Sequence, residues 1–330
     1  MNCNENDFEQ TSVAVVIVNW NGGELLAKCL QKLSEQIFQP SEIILVDNNS
    51  SDGSIDLIPK ELLSNLTILR MTENLGFAEG NNRAITLCST DYIALLNPDA
   101  FPEKDWLEKL MVAARENPSI VIFGSKQLCY PDTNIIDGTG DVYHISGLAW
   151  RRGHGVKVQQ GDHYSKEIFS PCAGAAMYKR SALAEVEGFD SDFFCYVEDV
   201  DLGFRLRLIG HKALYVDNAI VQHVGSGTSG GKHSDFSVYY GHRNLVWVYV
   251  KNMPISLLIL SFPLHILLNL ISIIKFGLDG KLSVILRSKR DVIKGLPRMI
   301  KKRKSIQKNR KIRPMSLLKI LDYSIFRRER

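Results

Sequence analysis

Cysteine is scarce and unpatterned in this sequence. Cys3, Cys29, Cys88, Cys129, Cys172 and Cys195 are spread over 330 residues with no C-x-x-C pair, which excludes a disulfide framework and leads us to expect reduced, mostly buried thiols. Residues 1 to 12 are polar and acidic and lack the basic start and apolar core of a signal peptide, so a cytoplasmic chain is expected. Compositional bias is absent too: 45% hydrophobic and 23% charged residues exclude a disordered, collagenous or polytopic membrane chain. At roughly 100 to 200 residues per domain, the length allows one large domain or two modest ones. Net charge is only +4, yet residues 275 to 330 hold 19 Lys and Arg against 4 Asp and Glu, and the preceding 274 hold 21 against 32. Two bodies of opposite charge share one chain.

Val13 to Trp20, Ile43 to Asp47, Leu66 to Leu69 and Tyr92 to Leu96 are short apolar runs that read as strands buried on both faces. Between and after them, Glu24 to Gln36, Ile55 to Leu63, Ala78 to Cys88 and Lys104 to Glu116 read as helices. That alternation predicts an α/β fold with a mostly parallel central sheet and right-handed crossovers. After about residue 124 the pattern loosens into Gly-rich and aromatic stretches that complete the same domain. Ile255 to Ile274 contains no charge over 20 residues, the lower limit for crossing a bilayer core of about 30 Å. Ser261, His265, Asn269 and Ser272 nevertheless line one face of it, Pro263 interrupts it, and a basic segment follows. This predicts a helical tail that lies on an anionic membrane surface or packs on the preceding domain.

Four constellations are candidates for chemistry. Asp47 ends a buried strand, where open α/β sheets bind ligands, and could accept the N3–H of uracil or thymine. The Asn, Ser and Asp residues that follow it, Ser51 and Asp52 above all, could equally cap the next helix. In Asn97-Pro98-Asp99, proline forces the chain out of the sheet and presents Asp99 on a turn. One carboxylate there suffices for a divalent ion that shares diphosphate oxygens, though the tripeptide is also an ordinary turn. Glu198, Asp199 and Asp201 crowd a helix start. Asp201 can pair with Arg205 at i, i+4, while the macrodipole holds the other two ionised, one of them as a general base, unless they are simple helix-start charge. His223 precedes a Gly/Ser loop, 226 to 232, and could ligate a metal or be structural, with His233 as a competitor.

In order along the chain stand V-V-I-V-N-W-N from Val15, I-L-V-D-N-N-S-S-D-G-S from Ile44, N-L-G-F-A-E-G-N-N from Asn74, N-P-D, C-A-G-A-A-M-Y-K-R from Cys172 and E-D-V-D-L-G-F-R from Glu198. This ordered set resembles the family 2 glycosyltransferases with the GT-A fold, in wording closest to the bacterial rhamnosyltransferase-like branch. The resemblance covers about residues 13 to 251. It implies a disordered N-terminus over 1–11, a GT-A-like nucleotide-diphospho-sugar transferase domain over 12–250 and an apolar, basic, membrane-associating helical tail over 251–330. The implied activity is inverting transfer of a sugar, rhamnose among the candidates, from a UDP- or dTDP-sugar to a hydroxyl of a glycan or polyprenyl-linked acceptor in surface polysaccharide synthesis.

By the same likeness Asp199 would be the catalytic base. Asn19, Asp47, Asn74, Gly76, Asn82 and Asp99 would bind the nucleotide-sugar, Ala173, Gly174 and Glu198 the acceptor, and Asp99 with His223 would hold Mg²⁺ or Mn²⁺. The protein would be peripheral or monotopic at the inner face of the cell membrane, with no nucleic-acid partner. Two positions depart from the wider pattern, Asn48 and Asn97, where it commonly has Asp. A sugar-1-phosphate nucleotidylyltransferase is the alternative enzyme, but it needs a basic phosphate loop after the first strand, and Asn19 to Glu24 holds no Lys or Arg before Lys28. A nucleic-acid binder using the tail is the non-enzymatic alternative, which the neighbouring apolar stretch disfavours.

Overall fold

The computed structural model describes residues 11–59, 62, 64–159, 165–225 and 234–324. The expected disorder of residues 1 to 11 lies, but for the last, outside the described residues, as do Cys3, the 226 to 232 loop and His233.

The first half alternates as the apolar runs predict: β1 (Val13–Asn19), α1 (Gly23–Ser34), β2 (Glu42–Asp47), β3 (Leu66–Arg70), α2 (Gly76–Ile85), β4 (Tyr92–Leu96), β5 (Ala100–Pro102) and α3 (Trp106–Glu116). The second half is β6 (Ile122–Cys129), β7 (Ile136–Gly138), β8 (Asp141–Tyr143), β9 (Ala149–Arg151), β10 (Lys166–Ile168), β11 (Ala175–Lys179), α4 (Arg180–Glu185), α5 (Glu198–Leu208) and β12 (Ala213–His223). Four C-terminal helices follow: α6 (Asp235–Asn252), α7 (Ile255–Leu278), α8 (Leu282–Lys308) and α9 (Pro314–Leu318).

The main sheet runs β10-β12-β6-β11-β4-β1-β2-β3. Strands β1 to β4, β6 and β12 point the same way, and β11 runs against its neighbours β4 and β6. β1 shows why the sheet is buried on both faces. Val13, Val15 and Ile17 pack with residues of α1 and α3, whereas Ala14, Val16 and Val18 pack with residues of α2, α4 and α5. Each fully buried aliphatic side chain contributes about 1.5–3 kcal/mol.

Two expectations from the sequence fail here. Residues 55 to 58 form turns, not a helix; Pro59 has no N–H to continue one and disfavours helical geometry in the residue before it. β3 is the sheet edge, with Thr67, Ile68 and Arg70 exposed, so it is not buried on both faces. Its brevity and the charge at its end suit an edge.

The C-terminal helices are packed on the sheet domain. An aromatic cluster joins Tyr143, Phe169 and Phe204 to Trp247 and Tyr249 of α6, Leu257 of α7, Val292 and Met299 of α8 and Leu317 of α9. The opposite charges also meet within the molecule: Lys302 pairs with Asp190 and Asp192, and Arg298 with Asp192. α7 continues through Pro263, and its polar stripe faces inward. Tyr249 and Ser261 hydroxyls lie 2.9 Å apart, His265 Nδ1 is 2.7 Å from the Ser146 carbonyl, and Asn269 Oδ1 accepts from Lys289 Nζ at 2.6 Å. Its outer face exposes Ile259, Leu260, Leu267, Leu270 and Ile274, two of them by two-thirds.

Candidate active site

Because six strands run parallel, their carboxyl ends share one edge of the sheet, and β11, running backwards, starts there. Asn19 and Asp47 are paired in register at the ends of β1 and β2, and both are buried. Asn19 Nδ2 donates to the hydroxyls of Ser50 and Ser54, at 3.0 and 2.9 Å. Asp47 Oδ1 accepts from Ser50 N at 3.1 Å, while Oδ2 lies 3.8 Å from Arg70 Nη1. Sequence reasoning missed Arg70, because only the β2–β3 register sets it beside Asp47. Asp52 does cap a helix, but an earlier one: its Oδ2 accepts from Gly23 N, the first residue of α1, at 2.8 Å.

Asn48, one departure from the wider pattern, is explained by its bonds. Its Nδ2 donates to Asn74 Oδ1 at 2.9 Å and to Gly76 O at 3.2 Å, and its Oδ1 accepts from Leu75 N at 2.9 Å. A carboxylate could not donate the first two. Gly76 has φ +78°, and a Cβ on it would stand 2.5 Å from the Phe194 carbonyl, so the Asn74-Leu75-Gly76 turn is pressed against the loop that precedes α5. Asn82 is committed elsewhere: Nδ2 donates to Phe189 O and Oδ1 accepts from Phe189 N, both at 2.8 Å.

Asp99 and His223 come together across 124 residues by antiparallel pairing, His223 opposite Ala100, with Val224 N donating to Asp99 O at 3.0 Å. His223 Nε2 lies 3.3 Å from Asp99 Oδ1 and also 3.3 Å from Asn97 Nδ2, while Nδ1 lies 2.8 Å from Asp137 Oδ2. Arg151 Nη1 reaches the same Asp137 oxygen at 2.6 Å. Burial would lower the His223 pKa, but hydrogen bonds to Asp137 and Asp99 outweigh it and raise it to about 9. Burial would raise Asp137, but His154, His223 and Arg151 hold it below the ordinary carboxylate range. Among the described residues no group of three His, Cys, Asp or Glu is arranged to hold a metal ion by itself. One carboxylate and one imidazole do converge, the imidazole fixed from behind by a carboxylate as in metal-ligating histidines. That donor set fits a Mn²⁺- or Mg²⁺-like ion completed by diphosphate oxygens.

The remaining motifs are tied on by their backbones. Asn97 N donates to Gly174 O at 2.9 Å, and a Cβ on Gly174 would come within 3.1 Å of Asn97 Nδ2. Ala173 N donates to Asp199 Oδ2 at 3.1 Å, and Val200 N to Asp199 Oδ1 at 2.8 Å. Asp141, unmarked in the sequence, is buried beside them and accepts from the Ser170 hydroxyl at 3.3 Å. Burial raises both Asp199 and Asp141; the charge of Asp199 pushes Asp141 well up against Arg151, the Ser170 hydroxyl and Arg152, while two N–H groups and Arg151 partly restrain Asp199. Burial and the Asp199 charge also push Glu198 well up, and its Oε2 has no hydrogen-bond partner among the described residues. Desolvation thus acts against the helix dipole at this helix start. Asp201 pairs with Arg205 Nε at 2.8 Å, as the i, i+4 spacing predicts.

The loop that delivers Asp199 is strained. Phe194, Tyr196 and Val197 have φ of 65°, 66° and 69°, conformations that cost on the order of 1–3 kcal/mol each. Asn244 Nδ2, fully buried in α6, lies 2.7–2.9 Å from the carbonyls of Phe193, Cys195 and Tyr196. Lys251, also fully buried in α6, contacts Asp190 and lies 2.7 Å from Asp201 Oδ1. No sequence motif singled out either residue. Their polarity gives no signal of its own, because α6 also carries Asp235, Ser237, His242, Arg243 and Asn252.

The family model described as glycosyl transferase family 2 matches residues 14–187. The N-acetylglucosaminyl-diphospho-decaprenol L-rhamnosyltransferase of Mycobacterium tuberculosis is 27% identical over 268 residues, covering 71% of this chain and 85% of the relative. The O-antigen chain rhamnosyltransferase RfbN of Salmonella typhimurium is 24% identical over 64% of this chain and 66% of its own length. Among solved structures, GalNAc-T7 with UDP, GalNAc and Mn²⁺ aligns with a TM-score of 0.59 at 16% identity, over 73% of this chain and 48% of that one. TarS of S. aureus aligns at 0.52 and 14%, over 73% and 40%. The chain thus spans less than half of either structure, and these likenesses show a GT-A-like fold.

Proposed function

The chain belongs to glycosyl transferase family 2 and is a rhamnosyltransferase-like glycosyltransferase of cell-surface glycan synthesis; from that premise we propose that it performs inverting transfer of a sugar from a UDP- or dTDP-sugar to a hydroxyl of a polyprenyl-diphosphate-linked acceptor. The names of the mycobacterial and Salmonella relatives support rhamnose as the sugar, and the mycobacterial name supports a sugar diphosphate as the acceptor end. Membership of the family displaces the nucleotidylyltransferase alternative.

One observation carries this proposal: Asp199, pinned by Ala173 N, shares a sheet edge with Asp47 and with the Asp99–His223 pair. Asp47 accepts the base N3–H, while Asn19 and the Asn74–Gly76 turn shape the crevice around it. Asp99 and His223 would hold a divalent ion, which would supply positive charge to the diphosphate leaving group. Ala173, Gly174 and Glu198 border the acceptor. Asp199 takes the proton of the acceptor hydroxyl as its oxygen attacks the anomeric carbon opposite the diphosphate. A single displacement inverts that carbon. A donor panel, scored by nucleotide release and product anomeric configuration, tests the proposal; retention of configuration overturns it.

Metal use has its own test. Asp99→Ala is expected to abolish the strengthening of UDP or dTDP binding by Mn²⁺, and His223→Ala to remove part of it. Titration calorimetry with and without EDTA reads this directly. Equal affinities in the wild type would refute it.

We place the catalytic domain, residues 12–250, in the cytoplasm and α7, in residues 251–330, at the membrane interface. α7 is long and apolar enough to cross a bilayer, but its polar groups are bonded inward to the protein while its apolar face points out. In water that exposed face is unfavourable, and at the acyl boundary it is buried at about 25 cal/mol per Å². Replacing Leu260 and Leu267 together by Glu is expected to abolish sedimentation with anionic vesicles without lowering the melting temperature. Undiminished sedimentation would remove α7 from the contact.

A further inference from the structure

Beside the catalytic loop a cleft of about 340 Å³ opens between α6 and α8, lined by Phe236, Tyr239, Tyr240 and Arg287. None of these residues belongs to the motifs that mark the nucleotide crevice. The cleft is nevertheless continuous with the catalytic loop. Phe194 stacks on Tyr240 with ring centres 5.1 Å apart and planes at 19°, and Tyr196, three residues before Asp199, lies 6.0 Å from the Phe236 ring.

Its lining is aromatic with one cation. Phe236, Tyr239 and Tyr240 are half-buried; Phe194 stacks on the Tyr240 ring and the Arg243 guanidinium carbon lies 4.7 Å over it, which leaves the part-exposed Phe236 ring to present the negative side of its quadrupole to the cleft. The polarised C–H groups along one face of a pyranose complement such a surface. Arg287, exposed on α8, is held with its guanidinium carbon 4.7 Å over the Tyr239 ring. It makes no ion pair among the described residues, whereas the nearby Asp291 already accepts from the Tyr239 hydroxyl at 2.8 Å and from Arg290 at 3.1 Å. A planar guanidinium with free donors suits a phosphate or diphosphate. α8 also packs on α7, so Arg287 stands on the helix that links the aromatic rings to the outward apolar face.

We propose that this cleft is the acceptor subsite, binding a lipid-linked sugar diphosphate with its sugar against the Phe236 ring and its diphosphate on Arg287. The proposal rests on the acceptor class put forward above, and it adds the residues that select that class. A sugar held there lies against the loop that ends in Asp199, with the diphosphate directed toward the membrane-facing helices.

The test uses the full chain and two acceptors carrying the same sugar, one a short-chain sugar diphosphate and the other a neutral alkyl glycoside. With donor saturating, Arg287→Ala is expected to raise KM for the diphosphate acceptor about tenfold or more, the size of one lost charge-assisted hydrogen bond, and to leave KM for the neutral glycoside unchanged. Arg287→Lys should recover part of the loss. Phe236→Ala should raise KM for both acceptors, because both carry the sugar. In neither variant should the shift fall on donor KM. Acceptor KM values equal to wild type in both variants, with transfer intact, would overturn the assignment while leaving the glycosyltransferase proposal standing. If wild-type protein transfers nothing from any nucleotide-sugar, that proposal fails instead. Equilibrium dialysis of the labelled sugar diphosphate against wild type and Arg287→Ala then still decides the cleft: weaker binding by the variant supports it, and equal binding refutes it.

Discussion

Asp199→Asn is expected to lower turnover by on the order of 10² to 10⁴ while leaving nucleotide affinity close to wild type. The amide keeps the shape of the carboxylate, but Ala173 N and Val200 N bond to different carboxylate oxygens and its single oxygen can accept from only one of them, so a melting temperature close to wild type checks that the local fold survives the loss of the other bond. The amide cannot take a proton from the attacking hydroxyl. Two backbone N–H groups hold Asp199 where Asp141 accepts from one hydroxyl, and Asp199 is the less strongly raised of the two carboxyls. Single-turnover kinetics with saturating donor and acceptor separate loss of chemistry from loss of binding. Near-normal turnover in the variant would move the base elsewhere, with Glu198 the first candidate.

Lys251→Met is expected to destabilise the fold by about 3–5 kcal/mol, the cost of breaking a buried ion pair by removing one partner. That is a large part of a typical total of about 5–15 kcal/mol. Lys251 is fully buried between Asp190 and Asp201, and methionine fills similar space without charge. Asp190 would keep Lys302, and Asp201 would keep Arg205 and Asn252, so the lower half of the range applies if those partners close in. The pH dependence has a definite sign. Burial alone would raise the Asp190 pKa, but Lys251 and Lys302 depress it below that of an unfolded aspartate. Its pairing therefore adds stability above about pH 4, the ordinary aspartate value, and loses it as pH falls further. The gap between wild type and variant, read from urea midpoints, should be widest near neutral pH and narrow below pH 4. A gap independent of pH would assign the loss to packing.

Much of the fold was legible because periodicity reports burial. The unbroken β-branched run from Val13 and the apolar runs at Ile43 and Tyr92 can only be strands covered on both sides, and they are. The predicted helix at Ile55 to Leu63 failed for a local reason, Pro59, that outweighed the apolar spacing. β3 was misjudged because hydrophobicity does not tell an edge strand from an inner one when the run is only five residues long. The motif residues were legible as types, but their bonds were not: Asn82 braces Phe189, Asp52 caps α1 rather than the next helix, and Asn48 ties the Asn74–Gly76 turn.

By itself the sequence determined the strand–helix alternation, the placing of Asp47 and Asp99 near strand ends, the i, i+4 pairing of Asp201 with Arg205, and the segregation of charge along the chain. These are properties of short segments, fixed by local geometry and by what a segment must bury. Tertiary structure alone decided that Asp137 and Arg151 stand behind His223, that Asp141 shares the environment of Asp199, that Arg70 flanks Asp47, and that the basic C-terminal helices pair with acids of the sheet domain. It also turned the polar stripe of α7 inward. Each of these joins residues from separate elements through sheet register, antiparallel return or helix packing, and the energy of a buried charge depends on which partner lies within a few ångströms, which spacing along the chain does not encode.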